Sequence, residues 1–257
     1  MEPEPNRQHP LAPSIRALRE QVGKLAPQTE SFLVILVAFA WPMARSLWTF
    51  LTATVHPVIT EGHLRQNLIL EPAMLTALGA FLWLRGWSLR RLGLNQWHPT
   101  GREAFEGFAL FLVAQLIVYV AFLVLYLGLE VVALIFTGHA VTISGLSPGS
   151  TPAFIARGFT LPTVLAESII NPIFEEVLVC GYIIAALRDR RGLKTAFVVS
   201  VVIRTTYHLY QGVYGAVSIL MLGILAAWWY ARQRTLWPVI VAHGLFDFVG
   251  LIAYLGR

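Results

Sequence analysis

The sequence has little charge and almost no cysteine. Of its 257 residues, 13% are charged, 56% are hydrophobic and one is cysteine. That residue, Cys180, has no second cysteine to pair with, so the disulfide framework of small secreted proteins is excluded. The mean hydropathy of +0.65 lies outside the range of ordinary soluble domains. The composition therefore predicts a polytopic membrane protein.

Positive charge is in excess, but its distribution does not indicate nucleic-acid binding. The isoelectric point is near 9.7, yet the arginines cluster at the ends of apolar segments, where positive charge determines topology. We therefore expect the lipid bilayer, and no nucleic acid, among the partners of the chain.

The apolar segments predict an all-α transmembrane helical bundle, because backbone in lipid must be satisfied internally and a helical span needs about 20 apolar residues. Seven segments meet this requirement: 31–54, 69–85, 105–137, 159–187, 194–211, 213–231 and 235–255. The length of the two longest segments allows an eighth span. We predict a cytoplasmic tail over residues 1–30 and a single transmembrane domain over residues 31–257.

The placement of lysine and arginine predicts the orientation. With a cytoplasmic N-terminus, most basic residues outside the spans fall on the cytoplasmic side, and only Arg65, Arg157 and Arg257 fall on the other. Splitting 105–137 into two spans would reverse every later segment and its basic residues, so we predict one long crossing there. We expect an integral protein of the bacterial cytoplasmic membrane.

The ionisable residues of the later spans fall at a common depth. Glu175 and Glu176 lie in the fourth span, His208 in the fifth, and His243 and Asp247 in the seventh. At a rise of 1.5 Å per residue, Glu175, His208 and Asp247 lie roughly 20 Å from the cytoplasmic ends of their helices, and His243 lies one turn nearer that end. Three helices therefore bring carboxylates and imidazoles to one level, which indicates a site.

Spacing along each helix supports this interpretation. His243 and Asp247 are four residues apart, as are Arg204 and His208, so each pair lies on one helix face. The two adjacent glutamates point about 100° apart, so only one can face a common centre and the other needs its own partner. A glutamate buried beside histidine or arginine can act as a general base.

Two further charged residues fall within the predicted spans. Charge inside a membrane is costly, so we expect Arg45, like Arg204, to face the bundle interior or a wet cavity. Glu167 lies two turns nearer the outer end than Glu175, and we expect it to face water or the membrane interface.

These residues resemble the motifs of a known family. The segments EEVLVCG, RTTYHLYQG and HGLFD are similar to the three motifs of the type II CAAX prenyl proteases and bacteriocin-processing proteins (the CPBP or Abi family), which are glutamate-dependent intramembrane proteases. The resemblance covers about residues 159–255, which we predict to be the catalytic core. It implies a helical fold around a polar cavity and peptide-bond hydrolysis within or beside the membrane.

The resemblance implies a role for each site residue. Glu175 and His208 would activate the attacking water, and His243 and Asp247 would stabilise the oxyanion of the tetrahedral intermediate. Glu176 would be a supporting or orienting carboxylate. The implied substrate is a membrane-associated peptide or a lipidated protein.

Two positions depart from the family pattern. The first motif usually reads EExxxR and the second FxxxH, but this sequence has Cys180 and Arg204 at the arginine and phenylalanine positions. An arginine at position 180 would neutralise Glu176 one turn away, so we expect Arg204 on the neighbouring span to supply the missing cation. An ionised Asp247 would repel an oxyanion, so it must be protonated or must act by orienting His243.

The sequence leaves metal dependence open. Glu175, His208 and His243 are candidate zinc ligands, and the same residues can work without metal as a base and hydrogen-bond donors. No HExxH pair is present. A GxSxG occurs at 145–149, but in a predicted loop, whereas a nucleophile elbow requires a strand before it and a helix after it.

Other functions remain open as well. Buried glutamate, histidine and arginine also build proton relays, so a proton-coupled transporter or channel is an alternative, although the hydrophobic pattern shows no internal repeat. A catalytically silent immunity or scaffold protein is a second alternative, because Cys180 and Arg204 depart from the family pattern. The simplest alternative is a structural ion pair that fixes helix packing.

Overall fold

The computed structural model describes residues 13–52, 58–137 and 155–255, and the described part of each of the seven predicted spans is mainly helical. The α-helices are α1 Pro13–Gly23, α2 Pro27–Ile35, α3 Trp41–Thr52, α4 Glu61–Leu84, α5 Gly101–Thr137, α6 Leu161–Glu175, α7 Ala185–Arg191, α8 Leu193–Tyr207, α9 Gly212–Gln233 and α10 Trp237–Ile252. The π-helical segments Leu36–Ala40 and Glu176–Ile184 join α2 to α3 and α6 to α7, and the 3₁₀ turn Leu209–Gln211 joins α8 to α9. The predicted all-α bundle is confirmed.

Several helices of the described chain are suited to crossing a membrane. Five are long and apolar enough: Pro27–Thr52, Glu61–Leu84, Gly101–Phe136, Leu161–Arg191 and Leu209–Gln233. α10 is apolar but shorter, and α8 has 15 residues. α5 runs unbroken over 37 residues, which confirms a single long helix where the loop charges predict one crossing. These helices make the chain an integral membrane protein.

Two helices begin earlier than hydropathy predicts. α4 begins at Glu61, because Thr60 and His63 form a capping box. α5 begins at Gly101, because Thr100 and Glu103 exchange hydrogen bonds: the backbone N–H of Thr100 donates to Glu103 Oε2 (2.9 Å), and that of Glu103 to Thr100 Oγ1 (3.1 Å). A polar first turn adds little hydropathy, so a hydropathy criterion misses it.

The segment from α6 to α7 is the centre of the bundle. Of its most apolar window, 78% is buried inside the protein, against 11% for α4. α6 packs against α4 and α10, and the π-helical segment that follows it packs against α8 and α9. Glu175 ends α6 and Glu176 begins the π-helical segment, so both glutamates lie where these neighbouring helices meet.

A proline and a glycine allow α10 to approach α6 closely. Pro172 lies inside α6 and has no N–H, so the carbonyl of Ser168 loses its helical partner. A Cβ atom added to Gly244 of α10 would lie 2.5 Å from that carbonyl oxygen, so a larger residue would separate the two helices. The close crossing brings His243 to the level of Glu175.

Two short strands align the starts of α4 and α6. β1 (Val58–Thr60) and β2 (Ile155–Arg157) pair in parallel, and α4 and α6 follow them directly. Glu61 at the start of α4 accepts hydrogen bonds from the side chains of Thr160 and Thr163. The two helices therefore run side by side in the same direction.

Part of the predicted tail forms a surface helix. This helix is α1, Pro13–Gly23, and it has no buried residue. Residues 1–12 of the tail, the GxSxG at 145–149 and Arg257 lie outside the described residues.

Candidate active site

The ionisable residues predicted to share one depth meet at the bundle centre. They are Glu175, Glu176, Arg204, His208, His243 and Asp247, and each lies within 4.0 Å of at least one other. Five of them are buried, whereas the side chain of Asp247 is 21% exposed. α6, the adjoining π-helical segment, α8 and α10 all contribute to this cluster.

Glu176 is held by an arginine and a histidine. Arg204 donates to both carboxylate oxygens, from Nη1 to Oε1 at 2.5 Å and from Nη2 to Oε2 at 2.7 Å. His243 Nδ1 lies 2.7 Å from Oε1 and donates its hydrogen to it. Glu176 is 0% and Arg204 1% exposed, so this is a fully buried ion pair with bidentate geometry. The cation expected for Glu176 is therefore present, and α8 supplies it.

Small neighbours leave space for the Arg204 side chain. Its Nη2 lies 3.8 Å from Cys180 Sγ, and a Cβ atom added to Gly223 of α9 would lie 3.0 Å from its Cδ. The two departures from the family motifs, at positions 180 and 204, are thus adjacent in space. In the family pattern the guanidinium lies on the same helix as the two glutamates, whereas in this protein α8 supplies it.

Glu175 is oriented by residues other than the histidines. Tyr207 donates its hydroxyl to Oε2 at 2.6 Å, and Asn171 Nδ2 donates to Oε1 at 3.2 Å. His208 Nε2 lies 3.8 Å from Oε1, and His243 Nε2 lies 3.9 Å from Oε2. These two distances are too long for direct hydrogen bonds. A water molecule between Glu175 and His208 would be within hydrogen-bond distance of both.

The backbone sets the tautomer of His208. Its Nδ1 lies 3.0 Å from the carbonyl oxygen of Arg204. A carbonyl oxygen can only accept, so Nδ1 has the hydrogen and a neutral ring has its lone pair on Nε2. That lone pair is on the nitrogen nearer to Glu175.

His243 and Asp247 form the predicted pair across one helical turn. His243 Nε2 lies 3.5 Å from Asp247 Oδ1, and its other nitrogen is bound to Glu176. The ring is therefore flanked by carboxylates on both sides. Asp247 is the most exposed member of the cluster, so it lies at the accessible side of the site.

Sequence reasoning missed three residues of the site. Asn171 lies one turn before Glu175, and Tyr207 directly precedes His208, so helix geometry offered a signal for both. Glu71 of α4 accepts from Asn171 Nδ2 at 3.0 Å across a separation of 100 residues. No local pattern could have connected Glu71 with this site.

Two expectations about charged residues are wrong. The sequence predicts a water-facing or interfacial Glu167, but this residue is 5% exposed and accepts a hydrogen bond from Asn67 at 3.0 Å, because α4 covers this face of α6. The sequence also predicts an inward-facing Arg45, but Arg45 is exposed. α3 packs against α8 and the 3₁₀ turn, and Arg45 lies on a part of its surface that stays exposed.

The described residues do not bring the three candidate zinc ligands into a metal-binding geometry. Among residues 13–52, 58–137 and 155–255, no group of three or more His, Cys, Asp or Glu side chains is placed to hold a metal ion. Of the zinc candidates, Glu175 already accepts hydrogen bonds on both oxygens, and His243 is bound to Glu176 through Nδ1. His208 is bound to a backbone carbonyl through Nδ1, so both histidines keep Nε2 on the side of Glu175.

Fold and site together define the class of protein: a helical integral membrane protein with a buried glutamate–histidine cluster. Residues 157–249 match the family described as type II CAAX prenyl endopeptidase Rce1-like, and this range contains the whole cluster. This match confirms the resemblance of the three motifs to that family. The family implies a membrane protease. The comparisons with curated proteins and with solved structures give no match.

Proposed function

We propose that the protein is an intramembrane endopeptidase in which Glu175 and His208 activate water for attack on a peptide bond. The proposal depends on the 3.8 Å separation of Glu175 Oε1 and His208 Nε2. Both atoms are acceptors, and a water molecule has two hydrogens, so one water can donate to both. Its lone pairs are then directed away from them, towards a substrate carbonyl carbon.

In the proposed reaction Glu175 is the general base. It accepts a proton from the water as the water oxygen bonds to the carbonyl carbon. Tyr207 and Asn171 hold its two oxygens in place. When the carbon–nitrogen bond breaks, Glu175 returns this proton to the leaving nitrogen. Atoms balance, because the hydroxyl of the water stays on the carbonyl carbon.

His243 is the proposed donor to the oxyanion. With a hydrogen on each nitrogen, its ring donates through Nδ1 to Glu176 and through Nε2 to the developing negative charge. Asp247 orients the ring from 3.5 Å and does not bind the oxyanion itself, since like charges repel. Glu176, held by Arg204, is a positioning residue for His243.

The proposed substrate is a peptide that reaches the site from the bilayer, either a membrane-associated peptide or a lipidated protein. The cluster lies among apolar helices, and the family description refers to prenyl endopeptidases. The basic last turn of α7, with Arg188, Arg190 and Arg191, supports a cytoplasmic position for that end of the helix. A cytoplasmic N-terminus and a bacterial cytoplasmic membrane complete the proposal.

Peptide cleavage by purified protein tests this function. Protein in nanodiscs would be incubated with internally quenched peptides, with and without an S-farnesyl cysteine. We expect the wild-type protein to release product, and Glu175→Gln and His208→Ala to be at least about 100-fold slower, as is typical when a general base is removed. Glu106→Gln and His98→Ala replace the same residue types far from the cluster and should retain the wild-type rate.

The same variants separate the alternatives. Equal product from the wild type, Glu175→Gln and His208→Ala would contradict the proposed enzyme. Proton flux into liposomes that disappears in both variants, without any product, would support a transporter. Binding of substrate peptide with neither product nor flux would support a silent relative.

A further inference from the structure

α4 and α6 share a polar seam, formed by Asn67, Glu71, Glu167 and Asn171, inside an otherwise apolar interface. Asn67 donates to Glu167, and Asn171 to Glu71, both at 3.0 Å. Glu71 is 9% and Glu167 5% exposed. Within the described chain neither glutamate has an ion-pair partner. The seam thus holds two buried acids that are bound only by amides.

Glu71 is the seam residue that lies next to the proposed base. One nitrogen, Asn171 Nδ2, donates to Glu71 Oε1 at 3.0 Å and to Glu175 Oε1 at 3.2 Å. These two oxygens are therefore at most about 6 Å apart, so a group formed beside Glu175 lies close to Glu71. The second oxygen of Glu71, Oε2, is buried and has no hydrogen-bond partner in the described part of the chain.

We propose that Glu71 binds the amino group of the C-terminal product, the group that peptide hydrolysis creates. This inference rests on the proposed function. After the carbon–nitrogen bond breaks, the amine has the proton returned by Glu175, and it takes a further proton from the new carboxylic acid. The products are then a carboxylate and an ammonium, and the ammonium is formed beside Glu175.

The charges of the neighbouring residues support Glu71 as the ammonium site. Arg204 and His243 are already bound to Glu176, so that carboxylate is paired. An unpaired charge in the membrane interior is costly for the acid and for the ammonium alike. Their contact lowers both costs. Positive charge already develops on the nitrogen in the tetrahedral intermediate, when Glu175 returns its proton before the carbon–nitrogen bond has fully broken. Glu71 would stabilise this transition state by direct contact with the nitrogen and would be a catalytic residue.

A pair of substrates that differ only in the leaving group tests this role. One is a peptide amide and the other is the matching ester, whose leaving alcohol takes no positive charge. We expect Glu71→Gln to lower kcat for the amide by about tenfold, typical of a lost charged hydrogen bond, with KM little changed. Its kcat for the ester should stay within about twofold of wild type.

Controls exclude general damage to the helix. Glu61→Gln changes the same residue type on α4, roughly 15 Å from Glu71 along the helix axis, and should leave the amide-to-ester ratio unchanged. The free C-terminal fragment should inhibit the wild type more strongly than Glu71→Gln, whereas the same fragment with an acetylated amine should inhibit both equally. Glu71→Asp, which keeps the charge, should recover part of the amide rate.

The outcomes distinguish this inference from the proposed function. Equal slowing of amide and ester by Glu71→Gln, or slowing of neither, would overturn the role of Glu71 and leave Glu175 as the base. A wild-type protein that hydrolyses neither substrate would overturn both.

Discussion

The carboxylates on the two sides of α6 and the π-helical segment that follows it are held differently. Towards α8 and α10, Glu176 has a guanidinium on both oxygens and an imidazole on one. Towards α4, Glu71 and Glu167 accept from amides and each keeps one buried oxygen without a partner in the described chain. The first arrangement holds Glu176 as a negative charge. In the second, the unpartnered oxygens of Glu71 and Glu167 can still take a proton or bind a cation. Glu175 lies between the two arrangements, oriented by Tyr207 and Asn171, with the Arg204 guanidinium 4.0 Å away.

Substitution of Arg204 should have the largest effect on the stability of the protein. Arg204→Met leaves Glu176 as a buried charge without its main partner, and we expect the free energy of unfolding to fall by about 3–5 kcal/mol. Denaturant unfolding in mild detergent measures this. A variant within about 1 kcal/mol of wild type would show that the ion pair does not hold the bundle centre together.

A sharper test places the cation at position 180, in the π-helical segment that begins with Glu176, as in the family pattern. Arg204→Phe alone should be about as unstable as Arg204→Met, and adding Cys180→Arg should recover most of the loss, because position 180 lies beside the guanidinium. If the double variant were no more stable than Arg204→Phe, positions 180 and 204 would not be interchangeable sites for the cation.

The crossing of α10 over α6 should be the next most sensitive feature. Gly244→Ala places a methyl group against the Ser168 carbonyl oxygen, so we expect a loss of about 1–3 kcal/mol in unfolding free energy. Cleavage should slow as His243 moves away from Glu175. Gly250→Ala is the matched control, because a Cβ atom there meets nothing within 4 Å. Equal effects of the two substitutions would count against the close crossing.

Loss of the tyrosine hydroxyl should affect the base more than the fold. Tyr207→Phe removes the 2.6 Å hydrogen bond to Glu175, and we expect kcat to fall about tenfold, while the free energy of unfolding changes by at most about 1.5 kcal/mol. Steady-state cleavage and unfolding of the same preparation measure the two quantities. An unchanged kcat would remove Tyr207 from the proposed mechanism.

The smallest effect on stability is expected for Glu167, whose carboxylate is bound by the Asn67 amide. Glu167→Gln removes an acid without an ion partner, so we expect the free energy of unfolding to stay within about 0.5 kcal/mol of wild type or to rise. Glu176→Gln is the matched substitution on the other side and should destabilise, because it leaves Arg204 unpaired. If the two variants lost equal stability, the two sides would not differ as described.

Much of this arrangement was predictable from helix geometry. The apolar runs located the helices of the seven predicted spans, and the i,i+4 spacing of His243 and Asp247 predicted their contact. The common depth predicted that Glu175, His208 and His243 would meet. The polar first turns of α4 and α5 were not predicted, because caps contribute hydrogen bonds and not hydropathy.

Hydrophobic pattern and local spacing by themselves determined the class of protein, the helices and the residues that share a depth, since these depend on periodicity within single segments. Only the tertiary structure decided which carboxylate has a cation. Arg204 reaches Glu176 because Cys180 and Gly223 leave space. Glu71 meets Asn171 because β1 and β2 align helices that lie far apart in sequence. Both contacts depend on how separate helices pack, which no single segment encodes.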